Sequence, residues 1–331
     1  MSRPGLLDAL RLNAARTSGR EHPLDAEGEL ARLRRLGARA LLRGEPDYPA
    51  ELEALEQPPL VLYALGRPAP LGLAAAVVGS RTPSRYGCRM ARRLAGDLAA
   101  AGAAIVSGLA RGIDAEAHEA ALARGGRTWA VLGSGLARVY PPENEPLARR
   151  IADSGGLLLS EFPLEAGPRK AWFPRRNRLI AALGRAVVVV EGTEASGSLG
   201  TAELAQGLGR DVFAVPGPAD SPLSAAPHKL LRDGAQLACE ASDILLSFPL
   251  ELRHAAKAAA CVRAPAATAA LSLPSDYKKI IESLAAEALT VDELAVGSGL
   301  SVSRLSNILF EMELQGLVSP APGQRYAKKE S

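Results

Sequence analysis

The sequence predicts a doubly wound, mostly parallel α/β sheet, preceded by a small helical region and followed by a winged helix. Three observations carry this. First, six short apolar runs, "AAAVVGS", "AAIVSG", "TWAVLGSG", "GLLLSE", "AVVVVEG" and "DVFAVPG", lie between residues 74 and 248. They are unbroken rather than alternating, as strands buried on both faces must be. Second, nearly every run ends in Gly or Ser and leads into a helical stretch, which is the order of βαβ units. Third, "TVDELAVGSGLSVSRLSNILFEMELQGLVSPAPGQRYA" reads as helix, turn, helix and β-wing.

In chain order, residues 1–45 are Arg-rich and helical in pattern, as in "GELARLRRLGARALL". They are expected to form a small helical N-terminal region. "GEPDYPAELEALEQPPLVLYALG" follows as a turn, a short helix stopped by Pro58-Pro59, and a strand. The sheet domain is expected to span 46–250. Residues 251–272 are Ala-rich and of low complexity, and read as a linker. The winged helix is placed at 273–327, with Thr290 and Ser301 as N-caps and Gly316 closing its second helix.

A chain of 331 residues is long enough for two or three domains. Its 47% hydrophobic and 23% charged residues are those of a soluble globular protein. The net charge of +3 does not demand a polyanionic partner, so a nucleic-acid role needs local clustering of cations. Cys88, Cys239 and Cys261 form no CxxC pair, which argues against a zinc site or disulfide framework and for a reducing cytoplasm. No run approaches the ~20 apolar residues of a membrane span, and the N-terminus lacks the apolar core of a signal peptide. A cytoplasmic location is expected.

Sites in an open α/β sheet lie outside the carboxyl ends of its strands. Four glycine-containing loops fall there. "VVGSRTPSRYG" presents Gly79, Ser80 and Arg81, and "VSGLARGIDAEAH" presents Ser107, Gly108 and Arg111 before a helix that Asp114 can cap. "VLGSGLARVYPPEN" is a third such turn, and "EGTEASGSLGTAELA" puts Ser196, Gly197, Ser198 and Thr201 at a helix start. Free N–H groups and the dipole at helix starts favour anions. A further segment, "SEFPLEAGPRKAWFPRRNR", adds Lys170, Phe173, Arg175, Arg176, Asn177 and Arg178 at the same edge. Cations beside aromatic faces suit a groove for single-stranded nucleic acid. One of these arginines, Arg176 or Arg178, is expected to pair structurally with Glu161 or Glu191. His118 and Asp114 stand four apart on a predicted helix, a spacing better explained by packing or capping than by catalysis. "GSGLAR" is not a dinucleotide fingerprint, Ser107 and Ser160 lack a nucleophile elbow, and no complete catalytic set is found.

At these residues the chain closely resembles the DprA/Smf (DNA processing protein A) family. The stretches that carry the likeness are "VVGSR" with "YG", "VSGLARGIDAEAH", "AVLGSGLARVYP", "SEFP", "FPRRNRLIAAL", "VVVEGTEASGSLGTAELA" and "VFAVPG", in family order. The resemblance implies an extended Rossmann domain that binds single-stranded DNA without catalysis or cofactor, protects incoming strands in natural transformation and loads RecA recombinase. It also implies a homodimer through that domain. The implied DNA-binding residues are Arg81, Lys170 and Phe173, with Arg176 and Asn177 completing the F-x-x-R-N motif. Gly79, Ser80, Ser107, Gly108, Arg111, Arg175, Ser196, Gly197 and Ser198 are neighbouring candidates.

Three departures stand out. Ala226 and His228 replace the Gly and Asn usual in their segment. The N-terminal region is shorter than the sterile-alpha-motif-like domain of many members. Gly200 and Glu203 are similar to the G-T-x-x-E loop of nucleotide phosphoribohydrolases, although the spacing is one residue short and the P-G-G is absent. That likeness supports a second reading, an enzyme on nucleoside monophosphates using Glu203 or Glu191 as acid/base.

Overall fold

A computed structural model describes residues 3–18, 24–253 and 256. In the C-terminal part it describes 277, 280, 283–284, 289–298, 300, 305, 308–309, 312, 318–321 and 325–328. The chain forms two compact units, Met1–Arg263 and Ala264–Ser331.

The first unit is built on a nine-stranded sheet. Its strands are β1 (Arg39–Leu42), β2 (Val61–Gly66), β3 (Ala74–Val78), β4 (Ala104–Ser107), β5 (Thr128–Val131), β6 (Leu157–Ser160), β7 (Ala186–Val189), β8 (Asp211–Ala214) and β9 (Gln236–Leu237). Their order is β1-β2-β6-β5-β4-β3-β7-β8-β9. From β6 through to β9 neighbouring strands pair in parallel, while β1 and β2 form an antiparallel edge. The six apolar runs are β3 to β8, each with three or more buried residues.

Because side chains alternate across a strand, β3 divides between two cores. Ala74, Ala76 and Val78 face one, beneath helices α6 (Trp172–Leu183), α7 (Gly197–Gly207) and α8 (Ala225–Arg232). Ala75 and Val77 face the other, beneath α3 (Arg85–Ala100), α4 (Ile113–Ala123) and α9 (Ala241–Leu245). The same alternation in β5 and β6 turns Ala130 and Leu158 toward a third cluster with α1 (Arg3–Ser18), α2 (Ala26–Leu36) and α5 (Glu145–Asp153). Each fully buried Val or Leu in these layers contributes ~1.5–3 kcal/mol.

The expected N-terminal region does not end at 45 as a separate piece. "RALL", read as helical, is strand β1, paired antiparallel with β2. Gly37 ends α2 in the left-handed conformation at φ 72°, so the helix cannot continue into the Leu41-Leu42 pair. Buried polar contacts fasten the two helices to the sheet domain. Asn13 donates to the Glu161 carbonyl at 2.9 Å, and Glu29 accepts the Leu164 N–H at 2.6 Å. The expected linker likewise begins later than 251, since Leu252 and Ala256 pack into the core under α3. Residues 257–272 of that linker lie outside the described residues.

Within the second unit, Thr290 caps α10 (Val291–Ser298) as expected. Its hydroxyl accepts the Glu293 N–H at 3.3 Å, and the Glu293 carboxylate accepts the Thr290 N–H at 2.8 Å, a reciprocal capping box. Strands β10 (Leu289–Thr290), β11 (Val318–Ala321) and β12 (Arg325–Lys328) form a three-stranded sheet in the order β10-β12-β11. Leu305, Ile308, Leu309 and Met312 lie buried in its core, at the spacing of one helix face. Ser301 and Gly316 lie outside the described residues.

Candidate functional site

The strand order reverses between β3 and β7: from β3 the sheet grows toward β4 on one side and toward β7 on the other. A crevice must open outside the carboxyl ends at such a switch point. One is found there, with a volume of about 400 Å³. Its walls come from the loop after β3 (Gly79, Ser80, Arg81), the start of α7 (Ser196, Gly197, Ser198) and α6 (Arg176, Asn177).

The loop after β3 is fixed by Glu191 at the end of β7. That buried carboxylate accepts the Ser84 N–H at 2.8 Å and the Ser84 hydroxyl at 2.5 Å, at the N-terminus of α3. Gly79 is required by close approach, since a Cβ there would lie 2.8 Å from Ile113 and 2.9 Å from the Glu191 carbonyl. The Ser80 hydroxyl accepts the Thr82 N–H at 3.1 Å. Arg81 then projects from an immobilised turn. It is exposed, and its guanidinium lies 5.2 Å from the Phe173 ring centroid.

The loop after β4 is more deeply held. The Ser107 hydroxyl is fully buried and donates to the Val77 carbonyl at 2.7 Å. Leu109 takes a left-handed backbone, φ 56°, with its side chain fully buried. Such a conformation costs ~1–2 kcal/mol in a non-glycine residue and persists only where packing imposes it. Asp114 does not cap α4, whose N-cap is Gly112. Its carboxylate instead reaches back to accept the N–H groups of Gly108 at 3.0 Å and Ala110 at 3.4 Å. Burial pushes the Asp114 carboxyl above its ordinary range, against the opposing pull of Arg176.

Arg176 is the cation beneath the site. It is 4% exposed and donates to the carbonyls of Gly108 at 2.5 Å and of Val131. Burial lowers its pKa to about 10, so it stays charged at neutral pH. Gly108 is needed because a Cβ there would lie 2.2 Å from the Arg176 guanidinium. Arg176 also donates to the Asn177 amide oxygen at 3.2 Å, which turns the Asn177 amide nitrogen toward the Gly197 carbonyl at 3.3 Å. Thus α6 and the start of α7 are tied together across the cleft. Ser196 caps α7 by accepting the Ser198 N–H at 3.3 Å, and the two hydroxyls lie 2.7 Å apart. The positive end of an 11-residue helix therefore opens into the cleft.

Beside the cleft lies a narrow aromatic slot formed by Phe173, Tyr140 and Pro141, with Arg81 and Arg111 at its rim. The Phe173 and Tyr140 rings are 5.7 Å apart and tilted by 54°. Phe173 is set against Gly133, where a Cβ would lie 2.9 Å from the ring. Arg111 is exposed and ion-paired with Glu143. Lys170 is exposed in the loop before α6.

The predicted residues do not all converge. Arg81, Arg176, Asn177, Ser196, Gly197, Ser198, Gly79 and Ser80 line the cleft, and Gly108, Arg111 and Phe173 line the slot. Ser107 and Arg176 are spent on backbone carbonyls, so their part is to shape the loops. Arg175 faces away: it pairs with Glu161 at 3.2 Å and donates to the Arg16 carbonyl at 2.9 Å. Arg178 is the arginine that meets the expected structural pairing, with Glu161 at 2.5 Å. Sequence reasoning missed Tyr140, Glu143, Thr193 and Leu223. Tyr140 and Glu143 were legible in the third glycine loop and Thr193 in the fourth, whereas nothing local points to Leu223. His118 is a packed residue, bonded through Nδ1 to Thr128 at 2.6 Å. Ala226 and His228, the two departures, are also structural: Ala226 N–H donates to Gly192, and His228 Nε2 donates to the Gly217 carbonyl at 3.0 Å.

Residues 39–249 match a family model described as DNA recombination-mediator protein A, and residues 264–324 match one described as the DprA winged helix domain. Protein Smf of Escherichia coli is 40% identical over 279 residues, 83% of this chain and 74% of that protein. The DNA processing protein DprA of Bacillus subtilis is 41% identical over 222 residues, 66% of this chain and 74% of the other. The crystal structure of DprA from Streptococcus pneumoniae aligns with a TM-score of 0.61 at 39% identity, covering 66% of this chain and 78% of that one. A DprA structure from Helicobacter pylori, described for its single-stranded DNA binding mode, aligns with a TM-score of 0.57 at 32% identity, covering 63% and 94%.

Proposed function

This chain belongs to the DNA recombination-mediator protein A family, and on that premise we propose that its cleft binds single-stranded DNA and holds it for a recombinase. One observation carries the reading: an exposed arginine, Arg81, lies over a half-buried aromatic ring, Phe173, beside a helix N-terminus. Phosphate needs the cation and the N–H groups, and an unpaired base needs the ring face. A duplex hides its base faces, so the arrangement favours single strands. In natural transformation, the incoming strand is protected in this cleft and passed to RecA, and the chain acts as a homodimer through its sheet domain.

The action is non-catalytic. Glu203, the acid/base of the enzymatic alternative, lies in a different groove with Leu55, Arg178 and Leu204. Glu191 has both oxygens bonded to Ser84, and Asp114 is buried against the Gly108 and Ala110 amides. Gel shift of a labelled oligonucleotide with unlabelled competitors tests the binding. The single strand is expected to compete and the duplex to compete poorly; equal competition contradicts the proposal. Incubation with AMP or CMP tests the alternative, which requires release of free base.

A further inference from the structure

The cations around the cleft are not equally available. Arg81 has no carboxylate within 4.0 Å among the described residues, and its one ring contact leaves the guanidinium exposed. Arg111, across the slot, is held by Glu143, with both side chains about half exposed at 51% and 50%. Glu143 is no chance neighbour. It sits in the short 3-10 turn Pro142–Asn144, directly after the slot residues Tyr140 and Pro141. The next residue, Asn144, donates to the carbonyls of Leu109 at 2.9 Å and Ala110 at 3.2 Å. The turn is therefore clamped onto the loop that carries Arg111, and the Glu143 carboxylate is delivered to the guanidinium by fixed backbone on both sides.

We infer that Glu143 is a built-in competitor for the strand: it occupies Arg111 in the free protein, and a phosphate at the rim must displace it. This inference rests on the proposed single-strand binding at the cleft. Its physical basis is an exchange of one exposed ion pair for another. A half-exposed pair is worth little, so the contact is weak enough to yield and strong enough to lower affinity by a few-fold. Counterion release is also reduced. Each strand phosphate neutralised releases ~0.7 counterion, but a Glu143 left without Arg111 recruits a cation in return. The residue thus makes binding weaker and less salt-dependent than the cations alone would give.

The test is a double-mutant cycle with oligo-dT over a range of salt, using the full chain as wild type, Glu143→Gln, Arg111→Ala and the pair. Both side chains are half exposed, so folding is checked by melting. Glu143→Gln is expected to tighten binding about two- to fivefold at low salt and to steepen the log–log salt slope by up to ~0.7. Both effects are expected to vanish in the Arg111→Ala background. Unchanged affinity and slope in Glu143→Gln overturn the inference. So does a gain that persists without Arg111, because Glu143 then acts only as a distant repulsive charge. If the wild type binds no single strand, the proposed function itself fails, and the inference falls with it.

Discussion

Helix α6 presents three arginines within four residues, and its two sides use them in opposite ways. On the cleft side, Arg176 is buried with backbone carbonyls as its partners and Asp114 as the nearby balancing charge. On the other side, Arg175 and Arg178 share the fully buried carboxylate of Glu161. In the second arrangement a fully buried anion is matched by its own two cations, although both arginines border the groove that holds Glu203. The first sits in the lining of a solvent-open crevice, offset by Asp114, with Arg81 at the same cleft. All three arginines of α6 are thus committed within the protein, and the cation left for a strand phosphate at the cleft is Arg81, which no carboxylate faces within 4.0 Å among the described residues.

The largest expected effect comes from exchanging these fates. Arg176→Met leaves two carbonyls unpaired and Asp114 uncompensated, and breaking such a buried arrangement costs about 3–5 kcal/mol. Arg175→Ala leaves Arg178 on Glu161 and is expected to cost no more than ~1 kcal/mol. Urea denaturation of both variants checks this; similar losses would erase the distinction between the two sides.

Phe173→Leu sharpens the comparison within the cleft. It keeps an apolar side chain against Gly133 but removes the ring face. Single-strand affinity is expected to fall by ~1–3 kcal/mol, with melting close to wild type. Unaltered affinity by fluorescence titration would mean that the ring only packs.

His118, under the same loops, gives a pH prediction. Its Nδ1 donates to Thr128, whose hydroxyl is itself committed to the Ile105 carbonyl, so Nε2 is the unprotonated nitrogen and has no hydrogen-bond partner. Burial, with Arg176 nearby, lowers its pKa to about 3. In the unfolded chain the imidazole takes its proton near pH 6.5. Stability is therefore full above that pH and is lost as pH falls toward 3, by roughly 1–2 kcal/mol between pH 7 and pH 5. His118→Gln is expected to flatten that part of the stability curve, and an unchanged slope contradicts the assignment.

The smallest effect is expected from deleting Ala264–Ser331. The cleft and slot lie wholly within the first unit, so single-strand affinity should change by less than tenfold, ~1.4 kcal/mol. A larger loss in titration with oligo-dT would make the winged helix a main DNA-binding element.

Much of this architecture was legible in the residues. The strands buried on both faces declare themselves as unbroken apolar runs, and a site outside their carboxyl ends follows from them, whereas the order that sets the switch point is seen only in the fold. Strand β1 did not declare itself, because "RALL" continues a helical periodicity that only Gly37 interrupts. Its state is decided by pairing with β2, a contact between segments that local pattern does not encode. The site shows the same division. Loop glycines, Arg81 and Phe173 were readable because turn chemistry and the F-x-x-R-N motif mark them. The opposite fates of Arg175 and Arg176 were not, since adjacent helix positions point about 100° apart and the sequence does not say which side meets Glu161. Tyr140 and Glu143 reach the site through the folding of a loop over its neighbour.

The cleft at the switch point, and not the Glu161 side of α6, is expected to hold the strand. Anisotropy of a labelled oligo-dT, titrated with wild type, Arg81→Ala and Arg175→Ala, tests this most directly. Binding is expected to be at least tenfold weaker, ~1.4 kcal/mol, for Arg81→Ala with unchanged melting, and near wild type for Arg175→Ala. Normal binding by Arg81→Ala, or a loss confined to Arg175→Ala, would contradict it.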